Sequence, residues 1–224
     1  MENPRNAAAH NHYDVIVIGA GASGLYCALT AGRRGRRVLV LDHANKAGKK
    51  ILMSGGGRCN FTNYFVEPEH FIGSNAHFCK SALSRYPSWE FIAMVEQHKI
   101  PYHEREHGQI FCDDSAQDIL TMLLDECAAV GVQVKLNTHI EQVKTVENTK
   151  KSCFELITSK ILSKKEKQER KDNGNQSKLP QTSYRCESLV VATGGLSIPT
   201  LGARGFGYEL AQQFGHTLVA TDAS

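Results

Sequence analysis

The amino-acid sequence predicts an α/β fold with a parallel central sheet, flanking helices and a β-meander. Three neighbouring observations near the N-terminus predict it. Tyr13–Ile18 (YDVIVI) is continuously apolar and β-branched, the pattern of a strand covered on both faces. It runs into Gly19-Ala-Gly21-Ala-Ser-Gly24 and then LYCALTAGRRG, whose apolar and small residues recur at helical spacing. Arg37–Leu41 (RVLVL) is a second short apolar strand. This β–turn–α–β succession takes about thirty residues, the size of one crossover unit.

The following elements are read in order. Gly48–Asn63 (GKKILMSGGGRCNFTN) has no periodicity and reads as a glycine-rich loop. Residues 76–99 read as helical in two pieces divided at Pro87. Ile119–Val130 has the spacing of an amphipathic helix, followed by a strand around Val132–Leu136. Phe154–Thr158 and Arg185–Ala192 read as strands bracketing a lysine-rich segment, which is expected to be a solvated loop insertion at 160–181. Gly207–Phe214 starts a further helix. The expected organisation is a disordered tail at 1–12, one nucleotide-binding domain over 13–215, and the start of a further region at 216–224.

Composition excludes several classes. The 224 residues are 41% hydrophobic and 22% charged, and no apolar run approaches the roughly 18–20 residues of a membrane helix. The N-terminus lacks the basic-then-apolar layout of a signal peptide. Seven cysteines occur without a CxxC, so neither a zinc site nor a disulfide framework is expected. Reduced thiols point to the cytoplasm. The net charge of +3 sums unlike regions: +7 over Arg33–Arg58, +4 over Lys160–Lys178 and −8 elsewhere. A uniformly basic nucleic-acid surface is therefore not expected. Both basic clusters are compatible with an RNA partner, although nucleotide phosphates would explain the first; the lysine-rich segment keeps the alternative of an RNA-contacting arm.

The chemistry lies in the glycine motif. Gly19, Gly21 and Gly24 match GxGxxG in the context that gives the pattern meaning: strand before, helix after, and an acid, Asp42, ending the next strand. Gly19 suits a tight turn, Gly21 leaves room for a pyrophosphate, and Gly24 lets the helix pack closely. The helix N-terminus offers N–H groups to the phosphates. Asp42 is placed to accept from a ribose 2′-hydroxyl and disfavours a 2′-phosphate, which leaves FAD or NAD. Two more motifs bear on that choice. SGGGRCN can approach a flat or anionic ligand, and LVVATGG (Leu189–Gly195) returns a buried strand to the carboxyl edge of the sheet.

GAGASGLYCALTAGRRGRRVLVLD, GKKILMSGGGRCNFTN, GQIFCDDSAQDIL and LVVATGGLSIPTLGARGFGYELAQQFG together resemble the BaiN-like (YhiN-like) FAD-dependent oxidoreductases. These are a branch of the two-dinucleotide-binding flavoproteins. The resemblance implies FAD, with its pyrophosphate at Gly19, Gly21, Ala22, Ser23 and Gly24 and its adenosine ribose at Asp42 beside His43. It puts Lys50, Ser54, Gly55, Gly56, Gly57, Arg58, Cys59 and Asn60 on the flavin side. The backbone near Ile140 would meet the adenine, and Ala192, Thr193, Gly194 and Gly195 would close over the nucleotide. Arg58 and Lys50 are candidate cations for the pyrophosphate or the reduced flavin.

The activity implied is that of an FAD-dependent oxidoreductase, with NAD(P)H as a donor that docks transiently, because no second GxGxxG occurs. The substrate is a small molecule or RNA; one activity proposed within the family reduces the uridine C5=C6 bond of ribosomal RNA to dihydrouridine. Family members run to about twice this length and carry a substrate-side domain. The alternative is therefore a truncated, inactive fragment that binds FAD weakly or not at all. The chain departs from the family pattern in two places: Asp42 stands where Glu is common, and GQIFC (Gly108–Cys112) where many members read GRVFP. Cys59 is the one candidate for a catalytic thiol, against the reading of a small buried hydrophobe. His103 and His107, beside Glu104 and Glu106, read as polar residues of an exposed strand. The sequence carries no indication of oligomeric state.

Overall fold

The two apolar runs nearest the N-terminus become adjacent parallel strands, β1 (His12–Ile18) and β2 (Val38–Leu41), joined by helix α1 (Ala22–Arg33). The computed structural model describes residues 11–148, 151–173, 177, 179–196 and 205–220. Of the tail expected at 1–12, residues 1–10 lie outside the described residues, as do 197–204 of the last family motif and 221–224, whereas His12 already opens β1. Among the described residues no helix is long and apolar enough to cross a membrane.

The chain divides into two compact units within the stretch expected to form one domain. The first comprises 1–47 and 125–217 and holds a six-stranded sheet. Its further strands are β6 (Gln133–Lys135), β7 (Thr138–Asn148), β8 (Lys151–Lys160) and β9 (Gln181–Val191), in the order β6-β2-β1-β9-β8-β7. β6, β2, β1 and β9 are parallel, whereas β9, β8 and β7 form the antiparallel meander. All four residues of β2 are buried, as its unbroken apolar run requires. α1 buries Leu25, Ala28, Leu29 and Gly32, the i, i+3, i+4, i+7 stripe of a helix laid on a sheet. Burial of Leu25 and Leu29 contributes roughly 1.5–3 kcal/mol each.

The meander closes over one face of the parallel strands. Val143 (β7), Leu156 (β8) and Tyr184 (β9) join Tyr13, Ile16 and Ile18 of β1 and Leu39 and Leu41 of β2 in one buried cluster. The other face of the meander carries the cross-strand row Lys144–Glu155–Arg185, in which Lys144 Nζ lies 2.8 Å and Arg185 Nη2 2.9 Å from the Glu155 carboxylate. These contacts, with Ser183, hold Glu155 well below the usual carboxylate range, at about 2, against a partial desolvation that raises it.

The second unit comprises 48–124 and 218–224. Gly48–Asn63, expected to be loop, is instead largely regular: helix α2 (Lys49–Met53), a 3₁₀ turn (Ser54–Gly57) and strand β3 (Asn60–Asn63). Each piece is too short to leave a periodic signal. β3 pairs with β5 (Gln109–Cys112), and β5 with β4 (Tyr102–Glu104), all antiparallel. The expected helical pair is α3 (Lys80–Arg85) and α4 (Ser88–Gln97), broken at Tyr86–Pro87. Phe61 of β3 packs against Phe91 and Tyr102, while Trp89, on α4, is 62% exposed.

Helix α5 (Ala116–Ala129) begins three residues earlier than expected. The insertion between β8 and β9 is not wholly loop: Lys164–Asp172 is helix α6, and residues 174–176 and 178 lie outside the described residues. The last described helix is α7 (Phe206–Gln213).

Candidate functional site

The glycine motif lies where β1 ends. Gly19 has φ +114°, and a Cβ there would lie 2.3 Å from the Ala192 carbonyl oxygen, so both the turn and the approach of β9 exclude a side chain. The approach follows from pairing: Ile18 and Val191 are register partners, and Ala192 N–H donates to the Ile18 carbonyl at 2.8 Å. Two motifs 173 residues apart thus meet at the carboxyl edge of the sheet. A Cβ at Gly24 would fall 1.9 Å from the Gly19 carbonyl oxygen, so α1 packs on the turn itself. Gly21 differs: a Cβ there meets nothing within 4 Å. It is the extended N-cap of α1, no side chain caps it, and Ala22 and Ser23 behind it are exposed. The first-turn N–H groups of α1 thus have no partner within the helix.

Asp42 closes this arrangement. Its Oδ2 accepts from Ala20 N–H at 2.7 Å, inside the glycine turn, and its Oδ1 accepts from Ala44 N–H at 2.8 Å. His43 Nδ1 lies 3.5 Å from Oδ1, with its ring exposed. The Asp42 carbonyl accepts from Thr138 N–H at 2.9 Å. Ile140 follows two residues later in β7, at the same edge and half-buried. Thr193, Gly194 and Gly195 lead away from β9, and a Cβ on Gly207 of α7 would lie 2.9 Å from Thr193 Oγ1. The first unit therefore brings together Gly19, Gly21, Ala22, Ser23, Gly24, Asp42, His43, Ile140 and Ala192–Gly195. The clamp from Asp42 to the glycine turn has no signature in the sequence beyond the acid's position.

The second unit gathers the remaining candidates. Gly55, Gly56 and Gly57 have φ of +57°, +66° and +90°, a left-handed run that side-chain-bearing residues rarely adopt. Ser54 Oγ donates to Ile51 O at 2.8 Å, and Cys59 N–H to Ser54 O at 3.1 Å, closing the turn. Arg58 and Asn60 are exposed, as is Lys50, and among the described residues no carboxylate pairs with Arg58. Cys59 is buried at 4% exposure, and burial pushes its thiol up despite an opposing hydrogen bond with Ser54. That is a poor setting for a thiolate. His103 sits on β4 with Nδ1 2.6 Å from Asp113 Oδ1, whereas His107 occupies a turn with φ +60° rather than a strand.

A parallel sheet with a glycine turn at its carboxyl edge, a helix N-terminus behind it and an acid ending the second strand defines a Rossmann-type nucleotide-binding fold. Residues 13–166 match the family described as HI0933-like protein Rossmann domain, and the chain belongs to that family. The ribosomal RNA dihydrouridine synthase of Escherichia coli (strain K12) is 46% identical over 211 residues, covering 94% of this chain and 46% of that protein. The protein of the same name from Haemophilus influenzae (strain ATCC 51907 / DSM 11121 / KW20 / Rd) is 44% identical over 209 residues, covering 93% and 47%. The chain thus spans about half the length of these curated relatives. The crystal structure of Thermovibrio ammonificans THI4 shares the fold at a TM-score of 0.53 and 15% identity, covering 96% of this chain and 67% of that one.

Proposed function

We propose that residues 13–215 are the FAD-binding part of an FAD-dependent oxidoreductase that takes electrons from NAD(P)H and reduces uridine to dihydrouridine in ribosomal RNA. The observation that carries the nucleotide reading is the open face at Gly21, set beside buried glycines that only the fold needs. A pyrophosphate fits there, against the N–H groups of Ala22, Ser23 and Gly24 and the positive end of the α1 dipole. Asp42 has one acceptor direction left on each oxygen for the adenosine ribose, with His43 at its side. The backbone at Ile140 meets the adenine, and Ala192–Gly195 border the nucleotide. In the second unit, Lys50 and the loop from Ser54 through Gly55, Gly56, Gly57 and Arg58 to Asn60 are assigned to the flavin half by the exposure of Lys50, Gly55, Gly56, Arg58 and Asn60 and by a guanidinium that meets no carboxylate among the described residues.

FAD, when bound, supplies the hydride chemistry. The chain's own residues bind and orient it: the turn fixes the phosphates, Asp42 fixes the ribose, and Arg58 offers positive charge to an anionic ligand. Cys59 holds the loop from within and moves no proton. RNA as substrate is supported by the two relatives' names and identities, and a cytoplasmic location goes with that reading.

The test begins with the visible spectrum of the purified chain and an FAD titration. Flavin absorbance that is bleached anaerobically by NADH or NADPH, but not by buffer, supports the reductase. Uptake of two hydrogens per uridine in a ribosomal RNA transcript, read by mass spectrometry, supports the substrate. A colourless, monodisperse protein that takes up no FAD defeats the reading in favour of an inactive fragment.

A further inference from the structure

Helix α6 lies in the insertion between β8 and β9, outside every element assigned to the nucleotide. It is properly built: Ser163 Oγ accepts from Glu166 N–H at 3.2 Å, and the Glu166 carboxylate accepts from Ser163 N–H at 2.8 Å, a reciprocal capping box. The charges on its surface are sorted. Glu166, Glu169 and Asp172 lie along one side, and each is engaged: Glu166 with Lys160 at 2.6 Å, Glu169 with Lys165 at 3.8 Å, and Asp172 with Gln168 at 2.8 Å. Lys164, Lys167 and Lys171 fall at i, i+3 and i+7, one stripe on the other side. All three are exposed, and among the described residues no carboxylate pairs with any of them.

The helix is rooted at a defined place. Ile161 N–H donates to the Asn137 carbonyl at 2.7 Å, and Asn137 N–H donates to the Ala44 carbonyl at 2.9 Å, two residues from Asp42. The basic stripe therefore rises from the same carboxyl edge that carries the glycine turn.

We propose that Lys164, Lys167 and Lys171 of α6 form an arm that grips the phosphate backbone of the RNA substrate. This rests on the reading of RNA as substrate and names the element that holds it. Unneutralised lysines at this spacing meet successive phosphates of a single strand as point charges. A membrane surface does not suit the helix: KKEKQERKD offers no apolar face to insert among lipids. The stripe reads no bases, so it supplies affinity and residence rather than sequence choice.

The experiment measures binding of a fluorescein-labelled, uridine-rich RNA oligonucleotide to the full chain by anisotropy across a salt series. K164Q/K167Q/K171Q is expected to bind about tenfold more weakly at low salt. Its log–log salt slope should be shallower by about 2, as for three phosphate contacts at about 0.7 each. The triple Lys→Arg variant keeps the charge, and its slope should match wild type. Wild-type affinity and slope in the Gln variant overturn the arm while leaving RNA as the substrate. Failure of the wild-type chain to bind the RNA overturns both the arm and the RNA reading. Displacement of the RNA by poly-glutamate at equal charge, or tighter binding to anionic lipid vesicles than to RNA, also overturns the proposal.

Discussion

Alanine at Gly24 and alanine at Gly21 are expected to have opposite consequences three residues apart. In a helix interior, Gly→Ala ordinarily stabilises by about 0.5–1 kcal/mol. At Gly24 the new Cβ falls 1.9 Å from the carbonyl oxygen of Gly19 and 3.0 Å from its carbonyl carbon. Both are backbone atoms of a turn held by the Gly19 N–H bond to Leu41 O at 2.8 Å, so neither can rotate away. A relaxed C···O contact is about 3.3 Å, so α1 must withdraw by more than ~1 Å, an overpacking cost of about 1–3 kcal/mol or above. The net expectation for Gly24→Ala is a loss of about 2 kcal/mol, or about 4–8 °C in melting temperature for a chain of this size. At Gly21 the backbone (φ −87°, ψ −173°) suits alanine and the methyl meets nothing within 4 Å. The cost there is the N-cap preference alone, about 0.5 kcal/mol. The same methyl, however, points where the pyrophosphate is assigned, and FAD affinity should fall at least about tenfold, some 1.4 kcal/mol. Thermal unfolding by far-UV circular dichroism without cofactor and FAD titration by flavin fluorescence separate the two. Gly24→Ala melting at or above wild type refutes the packing argument. Gly21→Ala binding FAD as tightly as wild type refutes the pyrophosphate assignment.

Other outcomes follow from the same contacts. Asp42→Ala leaves the N–H groups of Ala20 and Ala44 without their acceptor and should cost about 1–3 kcal/mol in chemical denaturation, with Asp42→Asn intermediate; an unchanged midpoint for the Ala variant would falsify the clamp. Glu155 titrates at about 2 when folded, below its ordinary 4.5, so its stabilisation is complete above pH 4.5 and disappears as the pH falls towards 2. Lys144 and Arg185 are about half exposed, so solvent screening reduces the contribution to about 1 kcal/mol. Wild type and Glu155→Gln should therefore differ at pH 7 and converge near pH 2–3, and a constant gap would contradict this. Burial pushes the thiols of Cys112 and Cys186 up to about 12 and that of Cys127 to about 11, with Cys59 also raised, so all four should resist an aromatic disulfide reagent at pH 7.5 in the native chain. Half-buried Cys79 should react first, as peptide mass mapping would show. Trp89 is the only tryptophan and is 62% exposed, so its fluorescence should be fully accessible to acrylamide; a shielded emission would place α4 differently.

How much of this could be read from sequence depends on what each element needs to declare itself. β1 and β2 declare themselves because a strand buried on both faces is apolar at every position, whatever it pairs with. LVVATGG implies only that a strand returns to the sheet edge; the contact of Ala192 with Gly19 depends on register, which no local pattern encodes. β3, β4 and β5 are three or four residues each, too short for a period-2 signal, so the sequence shows only the exposed strand at His103 and not the pairing of the three. Helix α6 was hidden for a different reason: a helix exposed on every side and a solvated loop have the same composition. Its signal was Ser163-x-x-Glu166, a capping box without the apolar run that usually accompanies one.

Asp42 is proposed for one role and observed in another. Sequence position marks it as a ribose acceptor, and nothing in the sequence says that its oxygens already bind Ala20 and Ala44. The two roles support each other. A free carboxylate must give up rotamer freedom when a ribose arrives, at a cost of some tenths of a kcal/mol or more. A carboxylate clamped through both oxygens has given it up on folding, and each oxygen keeps one acceptor direction. The clamp on Ala20 also ties the acceptor to the turn assigned to the pyrophosphate, so the two groups meant for ribose and phosphate move as one body. Aspartate reaches the Ala20 N–H at 2.7 Å with its short side chain. A glutamate would carry its oxygens one methylene further, past the Ala20 N–H that this aspartate binds. The shorter acid therefore binds the glycine turn directly, and under the proposed ribose role it joins turn and acceptor in one rigid site.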